Sequence, residues 1–443
     1  MATTTPILNY SLTIDPIIET QNGNEKRALS YANTIFSLFS YVLNEQKPAD
    51  KVIAEYFREH KKHGSKDRKV IRESLFALFR WWGWLQQVGQ YQQSQDWFKL
   101  LTLAATLEQH QWHNIIESWQ RFAQIEQLPP AANLTQKQQL VEIVAGVKVT
   151  AESLMPAWFW PMVADNCDKT ALIESMCTRP PLWLRAQTSP STEIVKQLNQ
   201  AGFDADINPS ISTAISLGHQ AINLNEIDCY KKGQVEVQDL ASQVIGYICQ
   251  PQTNEQWWDT CSGAGGKTLQ LASILKQQNA NAKITASDIR PFVLQELLKR
   301  AKRAGFKGIT TKPWTSEALP VDTQFDGVLV DAPCSCTGTW RRNPDMRWLD
   351  TPESLQHYPE LQLDILSRSA KAVKNGGKLV YATCSLASNE NEQVITQFLA
   401  NNPEFELMLI IDPLTQTQQK MLTVYPYTQD SDGMFVCCMV KQK

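Results

Sequence analysis

Two cysteines in this chain stand where a nucleophile would be useful. The stretch Asp331-Ala-Pro-Cys-Ser-Cys-Thr-Gly338 places Cys334 just past the apolar run Asp326–Val330, and Ala382-Thr-Cys-Ser385 places Cys384 just past Lys378–Ala382. A thiolate is the side chain best suited to adding to an electron-poor carbon. A buried cysteine is more often an inert small hydrophobe. That reading is kept for Cys167, Cys177, Cys229, Cys249, Cys336, Cys437 and Cys438. Two thiols past two strand ends, beside a glycine turn, shift the balance towards chemistry.

The turn is Asp259-Thr-Cys-Ser-Gly-Ala-Gly-Gly-Lys-Thr268. Gly263, Gly265 and Gly266 permit a tight bend and a close approach of backbone to ligand. A helix starting near Thr268 offers free N–H groups at the same place. Gly-Lys-Thr also ends a phosphate-binding P-loop, but that motif needs glycine where this chain has Cys261. About twenty residues on, Ala286-Ser-Asp-Ile289 supplies Asp288, a carboxylate placed to accept hydrogen bonds from ribose hydroxyls. Turn and acid together imply a nucleoside-containing cofactor, a feature that dehydrogenases share. The candidate cofactor residues are Cys261, Ser262, Gly263, Ala264, Gly265, Gly266, Lys267, Asp288 and Asp331.

These residues need a rigid frame. Candidate strands Lys283–Ser287, Asp326–Val330 and Lys378–Ala382 are apolar and unbroken, as buried parallel strands are. Helical stretches Leu269–Gln277, Val293–Ala304 and Leu361–Val373 alternate with them. The alternation predicts an α/β, Rossmann-like doubly wound sheet with ligands at the carboxyl ends of its strands. Upstream, Ala28, Ile35, Phe36, Phe39 and Val42 recur at helical spacing, as do Val52, Ile53, Tyr56 and Phe57. Ser65–Leu85, Gln92–Trp112 and His113–Gln124 read as further helices, and Pro129-Pro130 as a linker. Arg179–Arg185 looks like a strand entry and Glu193–Ala201 a helix. Three domains are expected: all-α at 1–130, small α+β at 131–240, and the Rossmann-like sheet at 241–443.

Length and composition agree. A chain of 443 residues exceeds one ordinary core. It has no apolar run of eighteen residues and no basic-then-apolar start, so neither membrane insertion nor secretion is expected. Ten cysteines without a signal peptide imply reduced thiols in a cytoplasm, and no paired Cys-x-x-Cys units frame a zinc site, so no metal is expected. The net charge of −3 does not announce a nucleic-acid binder, yet Arg58–Arg72 carries seven basic residues against two acids and Arg290–Lys307 six against one. Such stripes hold phosphates or merely face solvent. A monomer is expected.

The motifs resemble those of the Nop/Sun family of RNA 5-methylcytosine methyltransferases, and most closely its bacterial Sun-type rRNA group. The similarity rests on Asp331–Gly338, Arg341-Arg-Asn-Pro-Asp345 with Trp348, Gly376–Ser385, Gln238–Gln243 and Asp432-Gly-Met-Phe435, and covers roughly Met155 to the C-terminus. The helical N-terminus resembles the NusB-like, RNA-binding domain of Sun-type enzymes in pattern more than in motif. The resemblance implies S-adenosylmethionine as cofactor and RNA, most readily ribosomal RNA, as partner. It implies Cys384 as the nucleophile at carbon 6 of cytosine and Cys334 as the thiol that assists product release. It further implies Asp331 on the cytosine edge or the cofactor, Lys267 orienting the loops, and Arg341 and Arg342 on flanking phosphates of an unpaired or flipped base. Two departures stand out. Ser262, Gly263 and Ala264 replace the family's Ala-Ala-Pro, and Trp314 stands where the family tends to place an acid that contacts adenine. Two rivals remain at this point. One is a non-catalytic RNA-binding assembly factor on a decayed enzyme. The other is a DNA methyltransferase, whose nucleophile would lie in the Pro-Cys motif.

Overall fold

The computed structural model describes residues 7–15, 17–219 and 222–442. The chain forms two units. One comprises residues 1–161, 168–178 and 340–352, and the other residues 162–167, 179–339 and 353–443.

The first unit is helical. Its longer helices include Gly23–Glu45, Ala49–Glu59, Ser65–Leu85, Ser94–Leu107, His113–Ala123 and Leu134–Ala145. Aromatic residues fill its core: Phe39 stacks on Phe79 at 4.7 Å between ring centroids, and the buried Trp97 indole donates to the Ala32 carbonyl at 3.0 Å. Pro129-Pro130 is not a boundary here. Ala131 is buried in the same core, and Lys137 of the following helix lies over the Trp81 ring. The preceding helix already ends at Ala123, and the chain beyond the prolines still has apolar surface to bury against the same core.

The segment Trp340–Pro352 belongs to this unit too. Arg347 is fully buried and donates to the carbonyls of Met176 and Arg80. Asp345 accepts from the Ala49 backbone N–H at 2.8 Å, at the start of a helix where donors lack internal partners. Arg341 is 1% exposed and donates to Thr178 Oγ1 at 2.8 Å, so it is a packing residue, not the exposed phosphate clamp expected.

The second unit holds two main sheets. The smaller consists of β1 (Trp183–Ala186), β2 (Asp206–Ile207), β3 (Ala214–Ser216) and β4 (Val235–Val237) in the order β2-β3-β1-β4, all antiparallel. Instead of standing as a separate domain, it is fastened by buried polar links. Gln238 bonds Arg185 and Gln270, and Glu236 pairs with Arg300 and Arg303. Three consecutive domains therefore become two interleaved units, because these links and the 340–352 segment cross the expected boundaries.

The larger sheet comprises β5 (Trp257–Asp259), β6 (Ile284–Ala286), β7 (Ile309–Thr311), β8 (Phe325–Asp331), β9 (Val373–Thr383), β10 (Phe405–Leu407), β13 (Met421–Val424) and β14 (Met434–Lys441). Between β10 and β13, β11 (Ile410–Ile411) and β12 (Gln418–Gln419) form a separate hairpin. The order is β7-β6-β5-β8-β9-β14-β10, parallel from β7 to β9 and antiparallel where β14 joins. Helices Gly266–Gln277, Pro291–Arg303 and His357–Ala370 occur where the alternation predicted them. Successive residues serve opposite faces, as the period of two requires. Trp257 and Cys438 enter one core layer, Trp258 and Cys437 the other. The two C-terminal cysteines are thus core residues, as expected. Strand order reverses between β5 and β8, which opens a crevice at their carboxyl ends.

Candidate active site

Each candidate residue sits at the carboxyl end of a parallel strand. After β5 the chain turns through Gly263 and Gly265, whose φ angles are +53° and +90°, into the helix Gly266–Gln277. At Gly265 a side chain is excluded twice over: the left-handed backbone disfavours it, and a Cβ would lie 2.5 Å from Leu297. Ser262 N–H donates to Ser287 at 2.8 Å, and Ala264 accepts from Arg300 at 2.7 Å, so turn and helix are tied to neighbouring elements.

Asp288 follows β6 and accepts the Gly263 N–H at 2.9 Å. Its carboxylate also takes the Arg290 backbone N–H and guanidinium at 2.8–3.1 Å. Burial pushes this carboxyl up, but Arg290 and the Gly263 bond outweigh burial and hold it below its ordinary range. Asp288 and Asp331 border a cavity of about 810 Å³ that also includes Cys261, Trp314, Cys334, Cys336 and Arg368. Trp314 is 9% exposed, donates its backbone N–H to the Asp288 carbonyl at 3.1 Å and carries Arg368 over its ring at 4.8 Å. Its indole N–H is buried and finds no acceptor among the described residues. The cavity therefore places an aromatic donor where the family's acid is expected.

Lys267, from the helix after β5, binds Asp331 at the end of β8 at 2.6 Å. Burial pushes the Asp331 carboxyl up more than Lys267 pulls it down. Burial pulls the Lys267 ammonium down, but Asp331 outweighs that and leaves it raised. Asp259, fully buried under the turn, accepts from Thr268 at 2.6 Å and is pushed up to about 7 by burial. Cys261 is pushed up to about 12 by burial, which agrees with a lining role for this thiol.

The two expected thiols meet. Cys334 Sγ and Cys384 Sγ lie 3.3 Å apart and are not bonded as a disulfide. Hydrogen bonds from Cys336 and Cys384, then burial, raise the Cys334 thiol well above its usual value. Cys334 pulls the Cys384 thiol down, while Cys336 and burial push it up and prevail. The two thiols share a hydrogen bond. Cys336, structural on its sequence alone, is instead exposed and borders the cavity.

Sequence reasoning missed what holds the two cysteine loops together. Glu390 is fully buried and accepts from Ser335 N–H at 2.9 Å, Ser335 Oγ, Ser385 Oγ at 2.7 Å and Gln362 Nε2 at 2.9 Å. Ser335 follows Cys334 and Ser385 follows Cys384, so one carboxylate fastens both loops. Asn391 adds bonds to Thr383 and to the Ser385 carbonyl. Gly338 donates to the Cys384 carbonyl at 2.9 Å, and a Cβ there would lie 2.2 Å from the Gly433 carbonyl oxygen. An acid followed by Asn, shortly past a Thr-Cys-Ser strand end, was the available signal. The basic run at Arg290–Lys307 is largely spent internally: Arg290 pairs with Asp288, Lys299 with Glu296, and Arg300 and Arg303 with Glu236.

Comparison with known proteins adds to this geometry. Residues 246–440 match the family model described as 16S rRNA methyltransferase RsmB/F. The ribosomal RNA small subunit methyltransferase B of Klebsiella pneumoniae strain 342 is 30% identical over 324 residues, covering 70% of this chain and 71% of that protein. Its counterpart from K. pneumoniae subsp. pneumoniae strain MGH 78578 is 33% identical over 281 residues, with 61% of this chain and 62% of the relative covered, just under two thirds of its length. The solved structure of NSun6 from Pyrococcus horikoshii with SFG has a TM-score of 0.55 at 17% identity, covering 62% of this chain and 94% of that one, a likeness of fold alone. The sheet is that of a class I methyltransferase, no described helix is long and apolar enough to cross a membrane, and the chain belongs to the RsmB/F family of S-adenosylmethionine-dependent rRNA methyltransferases.

Proposed function

We propose that this protein transfers a methyl group from S-adenosylmethionine to carbon 5 of a cytosine in ribosomal RNA through a covalent adduct on Cys384. The observation that carries the reading is the pair of thiols, 3.3 Å apart, at the carboxyl ends of β8 and β9. Cys334 of this pair borders the cavity that reaches Asp288. Carbon 5 of cytosine is a weak nucleophile, so sulfur adds first to carbon 6 and makes carbon 5 electron-rich. Cys384 gives up its thiol proton to solvent as the carbon–sulfur bond forms. Asp331, held by the Lys267 ammonium at 2.6 Å, binds the base edge and helps disperse the charge that addition puts into the ring. After methyl transfer carbon 5 loses its proton and the carbon–sulfur bond breaks, with Cys334 assisting the departure of Cys384. A base reaches these groups only if unpaired or flipped.

Incubation of the protein with unmodified small-subunit RNA and labelled S-adenosylmethionine, followed by nucleoside analysis, tests the reading. The label is expected in 5-methylcytidine; label in any other nucleoside overturns it. The glycine turn and Asp288 would hold the cofactor, with the Asp288 carboxylate accepting from its ribose hydroxyls. Asp288→Ala is therefore expected to weaken S-adenosylmethionine binding in calorimetry by about tenfold or more, as loss of a charged hydrogen-bond acceptor does. Unchanged affinity would move the ribose elsewhere.

The helical unit, whose pattern resembles NusB, serves in this proposal to hold RNA. Lys61, Lys62, Lys66, Lys69 and Arg72 are exposed, while Arg68 is turned to the His63 carbonyl and the Phe57 ring. Reversing several of the exposed charges is expected to weaken RNA binding and to flatten its salt dependence by about one unit of slope for each phosphate no longer neutralised. Cofactor affinity stays unchanged. An unaltered salt slope would return the stripe to an ordinary solvated face.

A further inference from the structure

The geometry points to a thiophilic metal site at Cys334, Cys336 and Cys384, able to take one Zn2+ and to hold the enzyme inactive while it does. Among the described residues these three sulfur atoms all lie within 4.8 Å of one another. The closest pair is Cys334 and Cys384 at 3.3 Å. Three thiolates at zinc's usual bond length of about 2.3 Å sit roughly 3.8 Å apart in a tetrahedron. The observed spread therefore brackets the required one, and small side-chain rotations suffice. Thiolate sets of this kind select zinc over the hard cations that prefer carboxylates.

The third ligand comes from an unusual backbone. Cys336 has a φ of +58°, in the left-handed region that a residue with a Cβ rarely enters. That conformation is secured by two bonds to the Cys336 carbonyl, from Thr339 N–H and Thr339 Oγ1, both at 2.9 Å. It brings the Cys336 thiol back over Cys334, whose carbonyl it contacts at 3.4 Å. Cys334 and Cys336 border the cavity, so the fourth position of the ion faces space that water can fill. Cys336 has no part in the methyl-transfer scheme above, which leaves its placement beside the other two unexplained by that scheme.

Binding is a ligand exchange without redox change. Zinc gives up water, each coordinating thiol gives up its proton to solvent, and sulfur–metal bonds replace sulfur–hydrogen bonds. Coordination fixes the Cys384 sulfur on the ion and draws negative charge from it, so bound metal opposes its addition to carbon 6. That consequence rests on the proposed function; the site itself does not.

The full-length protein, kept reduced with a phosphine and free of RNA and cofactor, is titrated with Zn2+, and in parallel with Co2+ to read thiolate-to-metal charge-transfer absorption. One ion per chain with that absorption is expected, and Cys336→Ala and Cys334→Ala each should lower zinc affinity by at least about tenfold. Cys336→Ala removes an exposed thiol and opens no core cavity. Zinc affinity unchanged in both variants, or cobalt binding without thiolate absorption, overturns the site. A second arm adds RNA: zinc should suppress adduct formation and a chelator restore it, whereas adduct formation at full zinc occupancy overturns the inhibition. A protein that takes up zinc through the three thiols but never forms an RNA adduct keeps this site and loses the proposed function. Adduct formation with no zinc uptake does the reverse.

Discussion

Cys384→Ala is expected to form no adduct with any RNA and to lose methyl transfer by on the order of 10⁴-fold or more, the scale seen when a covalent nucleophile is removed. Cys334→Ala is expected to keep the adduct. It still attacks and still transfers methyl, then stalls, and the stalled species is a protein–RNA crosslink that survives denaturing electrophoresis and disappears on nuclease treatment. The two sulfur atoms lie 3.3 Å apart at neighbouring strand ends, so either could reach a base held at the cavity mouth. What separates them is the family resemblance of their motifs, which makes Cys384 of the Thr-Cys-Ser strand end the attacking thiol and Cys334 the one that assists its departure. Removing both thiols should abolish the crosslink. A trapped adduct in Cys384→Ala with none in Cys334→Ala would assign the nucleophile to the Pro-Cys motif, as in DNA methyltransferases.

The strand ends are legible in sequence because their signals are local. Apolar runs of parallel-strand length stop at Asp259, Ala286, Asp331 and Thr383, and each is followed by a turn or a polar residue. The helix Ser65–Leu85 has the same bounds in sequence and structure, since Gly64 and Asp67 at its start and an unbroken apolar face leave no alternative. Long-range burial is not legible. The resemblance casts Arg341 as a phosphate clamp, yet its segment packs in the helical unit. Nothing within that segment says that Met176, Arg80 and Thr178 will supply its acceptors. Pro129-Pro130 misleads for the same reason. A break in helix periodicity marks the end of an element, while a domain boundary depends on what the next element buries. At the site, sheet topology alone is enough to bring together the two cysteines fifty residues apart. It does not bring Cys336, because its approach depends on one left-handed backbone angle.

The second large effect is expected at Glu390, a positioning residue that touches neither cavity nor thiol. It gathers donors from Ser335, Ser385 and Gln362 with no exposure to solvent. Glu390→Ala strands those donors in the interior, and each buried unsatisfied group costs about 1–3 kcal/mol, so a loss of roughly 2–4 kcal/mol is expected after partial relaxation. Thermal unfolding should register this as a lower Tm. A purely structural role would stop there, leaving the folded fraction fully active at low temperature. Positioning predicts more. With both loops released, the 3.3 Å approach of Cys334 to Cys384 is no longer fixed. The first-order rate of adduct formation should then fall even in molecules that remain folded, on the order of 10²-fold for a displacement near 1 Å. S-adenosylmethionine affinity should hold, because Glu390 is not among the residues bordering the cavity. Glu390→Gln separates the readings most cleanly. It keeps the volume and one acceptor oxygen but presents an N–H₂ to neighbouring donors, so it should regain most of the stability and only part of the adduct rate. The measurement is single-turnover crosslinking in a Cys334→Ala background at a temperature where circular dichroism shows every variant folded. An adduct rate that tracks Tm alone, with Glu390→Gln equal to the Cys334→Ala parent, would reduce Glu390 to a stabilising residue and leave the alignment of the two thiols to Asn391 and the close approach of Gly338 to Gly433.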